Sequence, residues 1–174
     1  MPYFEIIAFL CIIVSVFSFF SLAPWFPTDM RDLERILDVI KLKKGERVLE
    51  IGCGTASVSL TLAWRHPDAN IVGIELSPFF YLISKIRARM SGLENIEILY
   101  GNALQLDLSL FDVIYVFGMP KTVTEKLFPK IEKIRNQNFR CISYCFKMTN
   151  DFFEETKHKM EKRNSIYEYR LKKF

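Results

Sequence analysis

The run Val48-Leu49-Glu50-Ile51-Gly52-Cys53-Gly54-Thr55-Ala56 constrains this chain more than any other stretch. Arg47 to Ile51 reads as a short strand, and Ser57 to Arg65 as a helix stopped by Pro67. Gly52 and Gly54 turn the chain between them, and glycine lets the backbone bend tightly and approach a ligand closely. A strand feeding a helix through such a loop belongs to open α/β sheets, which bind ligands beyond the carboxyl ends of their strands.

The rest of the chain agrees. Thr28 is the expected N-cap of a helix whose apolar positions Leu33, Ile36, Leu37 and Ile40 recur at three and four. Ile71 to Glu75 is the next strand. Ser77 and Pro78 then open a helix at N-cap and N1, and Gly92 closes it. Further strands are expected at Asn95–Tyr100, Asp112–Phe117 and Phe139–Phe146, with helical material between Thr122 and Arg135 interrupted at Pro129. A weaker helix and a last strand near Ile166–Leu171 finish the chain. Alternation at these lengths predicts an α/β domain, a three-layer Rossmann-like fold with a mainly parallel sheet.

Before this domain lies a segment of another kind. Ile6 to Ala23 carries no charge, interrupted only by Ser15, Ser18 and Ser21. Its 18 residues would rise about 27 Å as a helix, close to the ~30 Å of a hydrocarbon core. Trp25 and Phe26 stand where an interfacial aromatic belt would. Its only preceding charge is Glu5, and Pro24 follows the small residues, so a retained anchor is expected over a cleaved leader. Arg31, Arg35, Lys41, Lys43 and Lys44 follow it, which predicts a single-pass protein with its domain on the cytoplasmic, or equivalent interior, side. The expected organisation is an anchor at 1–23, a proline motif and leading helix at 24–44, and the catalytic domain at 45–174.

The net charge of +4 is too small to imply nucleic acid. The basic residues near the end, Lys157 to Lys173, are interspersed with Glu154, Glu155, Glu161 and Glu168 and read as a solvated face, with attraction to an anionic membrane surface as the alternative. None of the four cysteines has metal or redox spacing, and Cys141 and Cys145, about 13 Å apart along one strand, are too distant to pair. With only two histidines, no metal site is expected.

The ligand is legible from three strand ends. The loop ends in Ser57 where a dinucleotide fingerprint needs a third glycine, and Glu50 before it would repel a pyrophosphate. Glu50 suits instead the ammonium and sulfonium charges of S-adenosylmethionine, with Gly52, Cys53, Gly54 and Thr55 forming the cradle. Glu75, followed by Leu76, ends the second strand, where a carboxylate accepts from ribose hydroxyls. Asn102 and Ala103 follow the third strand; the Asn102 side-chain carbonyl would accept from the adenine amino group and Ala103 would leave room for the ring. Phe117 and Met119 are expected to line the pocket mouth, with Trp25 and Phe26 as further walls.

After residue 45 this pattern resembles class I methyltransferases. A narrower resemblance rests on Glu75-Leu76-Ser77-Pro78-Phe79, Ser84-Lys85, Arg87-Ala88, Phe117-Gly118-Met119-Pro120 and Pro24-Trp25-Phe26-Pro27-Thr28. These are similar to motifs of the membrane-anchored protein-lysine methyltransferases that act on the ATP synthase c-subunit and the adenine nucleotide translocase. The resemblance implies methylation of lysine on a membrane-associated protein, with the bilayer itself as a partner. The glycine loop departs from that family, which usually has an acidic residue and a further glycine there, and Ser77 stands where asparagine is usual. A small-molecule or lipid methyltransferase is the alternative, and a non-catalytic scaffold that binds S-adenosylmethionine the outsider.

Overall fold

The computed structural model describes residues 28–172, except 119, 120, 122, 135 and 149–151, together with Glu5 and Phe9. The expected anchor at 6–23, apart from Phe9, and Trp25, Phe26 and Met119 lie outside the described residues. Among the described residues no helix is long and apolar enough to cross a membrane.

Among the described residues seven strands form one sheet: β1 (Arg47–Ile51), β2 (Asn70–Glu75), β3 (Ile96–Tyr100), β4 (Val113–Val116), β5 (Arg140–Tyr144), β6 (Phe153–His158) and β7 (Ile166–Leu171). Their order is β3-β2-β1-β4-β5-β7-β6. The first five are parallel, with Leu49 beside Val72 on one side and Ile114 on the other. β7 runs antiparallel to β5 and β6 antiparallel to β7. A Rossmann-like fold with a mainly parallel sheet is what the chain adopts.

Helices α1 (Met30–Ile40), α2 (Ser57–Arg65) and α3 (Pro78–Ser91) cover one face, and the π-helical turn Val123–Leu127 with α4 (Phe128–Ile131) packs on the other. Alternate residues serve the two sides. Val48, Ile71, Val113, Tyr115, Ile142 and Tyr144 meet α1 and α2, while Leu49, Ile51, Val72, Ile74, Ile114 and Val116 meet Leu127, Phe128 and Ile131. β4 and β5 are buried along their whole length, and central parallel strands therefore read as continuous apolar runs.

Several local expectations are corrected. The cap of α1 is Asp29, not Thr28: its carboxylate accepts from the Arg31 amide at 2.9 Å, satisfying an orphan donor near the positive end of the helix. The helix expected over Thr122–Arg135 is a π-helical turn followed by the short α4, with Pro129 inside the first turn of α4, where its missing N–H costs nothing. The fifth strand ends at Tyr144, because Cys145 takes a left-handed φ of 75°; Cys141 and Cys145 therefore do not share it. The weak helix expected after it is the strand β6, whose Glu and Lys residues favour helix by propensity but fit the exposed edge of a sheet once β7 offers hydrogen bonds.

α1 is held at both ends. At its carboxyl end the buried Arg140 guanidinium donates to the Ile40 carbonyl at 2.7 Å and meets the Glu46 carboxylate at 2.9 Å. At its amino end the buried Asp32 accepts from the Tyr144 hydroxyl at 2.8 Å and from Arg35 at 2.8 Å. Asn164, in the connection before β7, donates to the same hydroxyl at 3.0 Å.

Candidate active site

The carboxyl ends of β1, β2, β3 and β4 bring the expected loops to one edge of the sheet. The loop after β1 alternates in handedness, with positive φ at Gly52 (71°), Gly54 (55°) and Ala56 (59°). Glycine takes these angles freely; Ala56 bears a modest strain for them. The amides of Gly52 and Cys53 both donate to the Ile74 carbonyl, at 2.9 and 3.1 Å.

Glu75 ties the neighbouring loops together. Its Oε2 accepts from the Gly54 amide and its Oε1 from the Ser77 amide, each at 2.8 Å. One lone pair on each oxygen remains, enough to accept further hydroxyl protons. A Cβ placed on Gly52 or on Gly101 meets nothing within 4 Å, so there is open space beside both loops. An acid with spare acceptor capacity between two open glycine turns fits an adenosine ribose.

Not every expected residue faces that space. Glu50 is 4% exposed, and its Oε2 accepts from the Ser59 amide at 2.8 Å and from the Ser59 hydroxyl. Desolvation pushes its carboxyl up to about 7; the Ser59 bonds oppose this, and the Glu75 charge adds to it. Glu50 thus braces the loop from behind, bound to the first turn of α2. Cys53 also turns inward, packing with Ala56, Ala88 and Ile98, and burial pushes its thiol up. Only the Cys53 backbone lies in the loop's line. Thr55 gives its carbonyl to the Arg87 guanidinium of α3.

The third loop is also more self-contained than its sequence suggests. The Asn102 side-chain carbonyl accepts from the Leu104 amide at 2.9 Å, capping a 3-10 turn over Ala103–Gln105. The Ala103 methyl is buried in the core. Leu76 is half-buried just beyond Glu75. Phe117, past the end of β4, packs edge-on against Tyr144 at 4.9 Å and near-parallel to Phe146 at 6.3 Å. The partnerships of Ser59, Tyr144 and Phe146 carry no local sequence signal, since each joins residues from separate elements. Among the described residues no group of three or more His, Cys, Asp or Glu is placed to hold a metal ion.

Comparison with known proteins agrees with this geometry. A protein-lysine N-methyltransferase of Saccharolobus islandicus is 26% identical over 137 residues, covering 75% of this chain and 81% of the relative. A probable ribosomal RNA small subunit methyltransferase A of Methanosarcina acetivorans is 29% identical over 123 residues, or 71% of this chain, which spans 40% of that longer protein. In fold the chain is similar to an RNA methyltransferase of Salinibacter ruber crystallised with S-adenosyl-L-homocysteine, with a TM-score of 0.75 at 21% identity, covering 84% of this chain and 94% of that one. Residues 50–152 match the family described as the ANTKMT methyltransferase domain. The chain belongs to that family, and is a class I methyltransferase with S-adenosylmethionine as its cofactor.

Proposed function

We propose that the protein N-methylates lysine on a membrane-associated protein. The observation that carries this reading is the family match over residues 50–152, joined by the similarity to a protein-lysine N-methyltransferase across most of both chains. The uncharged segment 6–23 supports the membrane half, as a single-pass anchor with the domain on the side of Arg31, Arg35 and Lys41. Tethering enzyme and acceptor to one surface raises their effective concentration.

When bound, S-adenosylmethionine would supply a methyl carbon open to in-line attack by a neutral lysine amine, with S-adenosylhomocysteine as the leaving group. Alignment then supplies much of the rate. In this reading Glu75 holds the ribose, and the Gly52–Gly54 backbone takes the ligand's close approach. Asn102 already caps its own turn, so adenine recognition falls to its remaining amide protons and to the neighbouring backbone. Phe117, with Tyr144 and Phe146 behind it, forms an apolar wall beside β4. An apolar mouth favours the neutral amine of an incoming lysine by penalising its ammonium form.

Incubating the full-length protein and its host membranes with labelled S-adenosylmethionine is expected to give a methylated protein band whose hydrolysate contains methyl-lysine. Label confined to organic-extractable lipid would move the protein to the lipid or small-molecule alternative, and label in RNA to the activity that the rRNA methyltransferase relative's name describes. Cofactor binding without any turnover would leave a scaffold.

A further inference from the structure

Helix α3 has one face in the core and the other exposed and apolar. Ser84 and Ala88 are its buried residues. On the opposite side Phe79, Leu82, Ile86 and Met90 recur at three, four and four residues, each at least half exposed or close to it, and Met90 reaches 81%. A monomer in water rarely leaves so continuous an apolar stripe uncovered. Trp64 at the end of α2, 72% exposed, extends the stripe across a shallow depression that Leu60, Met90 and Leu93 also line.

The charges on α3 itself are of one sign, while beyond Trp64 the acids Glu34 and Asp38 are paired with Arg65. Pro78–Ser91 contains Lys85, Arg87 and Arg89 and no acidic residue. At 100° per residue Lys85 and Arg89 flank the stripe on one side and Arg87 on the other. Glu97 pairs with Val72, whose side chain packs on the opposite face of the sheet, and Glu94 lies beyond the helix-terminating Gly92. Lys85 Nζ also donates to the Ile98 carbonyl at 3.2 Å and Arg87 to the Thr55 carbonyl, so Arg89 is the cation of α3 best placed for a lipid phosphate. An apolar stripe flanked by cations, with no anion on the helix, matches an element lying in a bilayer interface with its chains among acyl groups.

We propose that α3, with Trp64, is a second membrane-contact element, which lies flat on an anionic lipid surface and orients the catalytic domain there. For proximity alone this rests on the anchor reading. Residues 24–27 span at most about 14 Å, so a domain tethered by 6–23 stays within reach of the bilayer.

The test uses the full chain carrying Trp25→Phe, which makes Trp64 its single tryptophan. The protein is reconstituted with vesicles containing brominated phosphatidylserine and, separately, brominated phosphatidylcholine alone. Trp64 emission is expected to shift to the blue and to be quenched by about half or more in the anionic vesicles. Leu82→Glu with Ile86→Glu should abolish most of that quenching, and the milder Arg89→Glu should reduce the preference for anionic lipid. Calorimetric binding of S-adenosylhomocysteine, measured on the same samples, reports that each variant is folded. Flotation with the neutral vesicles reports separately on the segment 6–23, and methyl transfer on the proposed activity. No quenching of the parent protein in anionic vesicles overturns the proposal, as does equal quenching of a folded Leu82→Glu/Ile86→Glu protein. A concentration-dependent shift of Trp64 without lipid would assign the stripe to a second copy of the chain and overturn it equally.

Discussion

Glu75 Oε2 accepts a hydrogen bond from the Gly54 amide at 2.8 Å, so the acid at the end of β2 fixes the glycine loop that follows β1. Its other oxygen does the same for Ser77 at the start of α3. One side chain therefore sets the spacing of two loops and remains free to accept from a ligand. Glu75→Ala is expected to weaken S-adenosylmethionine binding by about 1.5–3 kcal/mol, the range for a lost charged hydrogen bond. Isothermal calorimetry measures it, and unchanged affinity in a folded variant would remove Glu75 from the site.

Gly73, in the middle of β2, supports the same loop from below. A Cβ there would lie 3.0 Å from Ile98 Cδ1 and 3.1 Å from both Cβ and Sγ of Cys53. Gly73→Ala must push Cys53, and with it the turn between Gly52 and Gly54. A stability loss of about 1–3 kcal/mol is expected from the overpacking. Denaturant melts and cofactor titration should fall together; a melt that shifts without any change in binding would show that Cys53 does not transmit the strain.

Glu50 makes stability depend on pH. Its carboxyl rises from an ordinary value near 4.5 to about 7 in the fold, chiefly through desolvation. The native state thus holds the proton more tightly than the unfolded chain. That contribution is complete below about pH 4.5 and is lost as pH rises through about 7, on the order of 3 kcal/mol in all. Glu50→Gln imitates the protonated form and is expected to flatten this slope. Urea melts across pH 4.5–8 compare the two, and parallel curves would refute the burial argument.

Arg140 and Glu46 form a buried pair that also gathers the end of α1. With 5% exposure, Arg140 neutralises Glu46 and satisfies the Ile40 carbonyl. Arg140→Met leaves the largely buried Glu46 carboxylate with only the Lys43 amide as donor, and a cost of about 2–4 kcal/mol is expected, below the ~3–5 kcal/mol of a fully buried pair. Thermal unfolding of Arg140→Met beside Arg140→Met/Glu46→Gln checks the cause, because the double variant should recover part of the loss.

The parallel half of the fold was written locally. Arg47–Ile51, Ser57–Arg65 and Pro78–Ser91 form where apolar runs, a glycine turn and a Ser-Pro start place them. The same grammar put Gly52, Gly54, Glu75 and Asn102 at successive strand ends, because the residue that ends a strand in a parallel sheet also faces the ligand edge. Prediction failed at β6, where Glu154, Glu155, Thr156 and Lys157 have no strand pattern of their own and pair only because β7 is alongside.

Sequence by itself therefore determined the order of the elements from β1 to β4 and the strand-end loops that carry Gly52, Gly54, Glu75 and Asn102, since these follow from hydrophobic period and turn residues. Tertiary structure alone decided what each acid does. Glu50 and Glu75 look equivalent as strand-end carboxylates, yet one is buried against Ser59 and the other is shared between Gly54 and Ser77. The difference lies in which backbone amides the packing of α2 and α3 brings within 3 Å of each, and that is set by contacts between elements far apart in the chain.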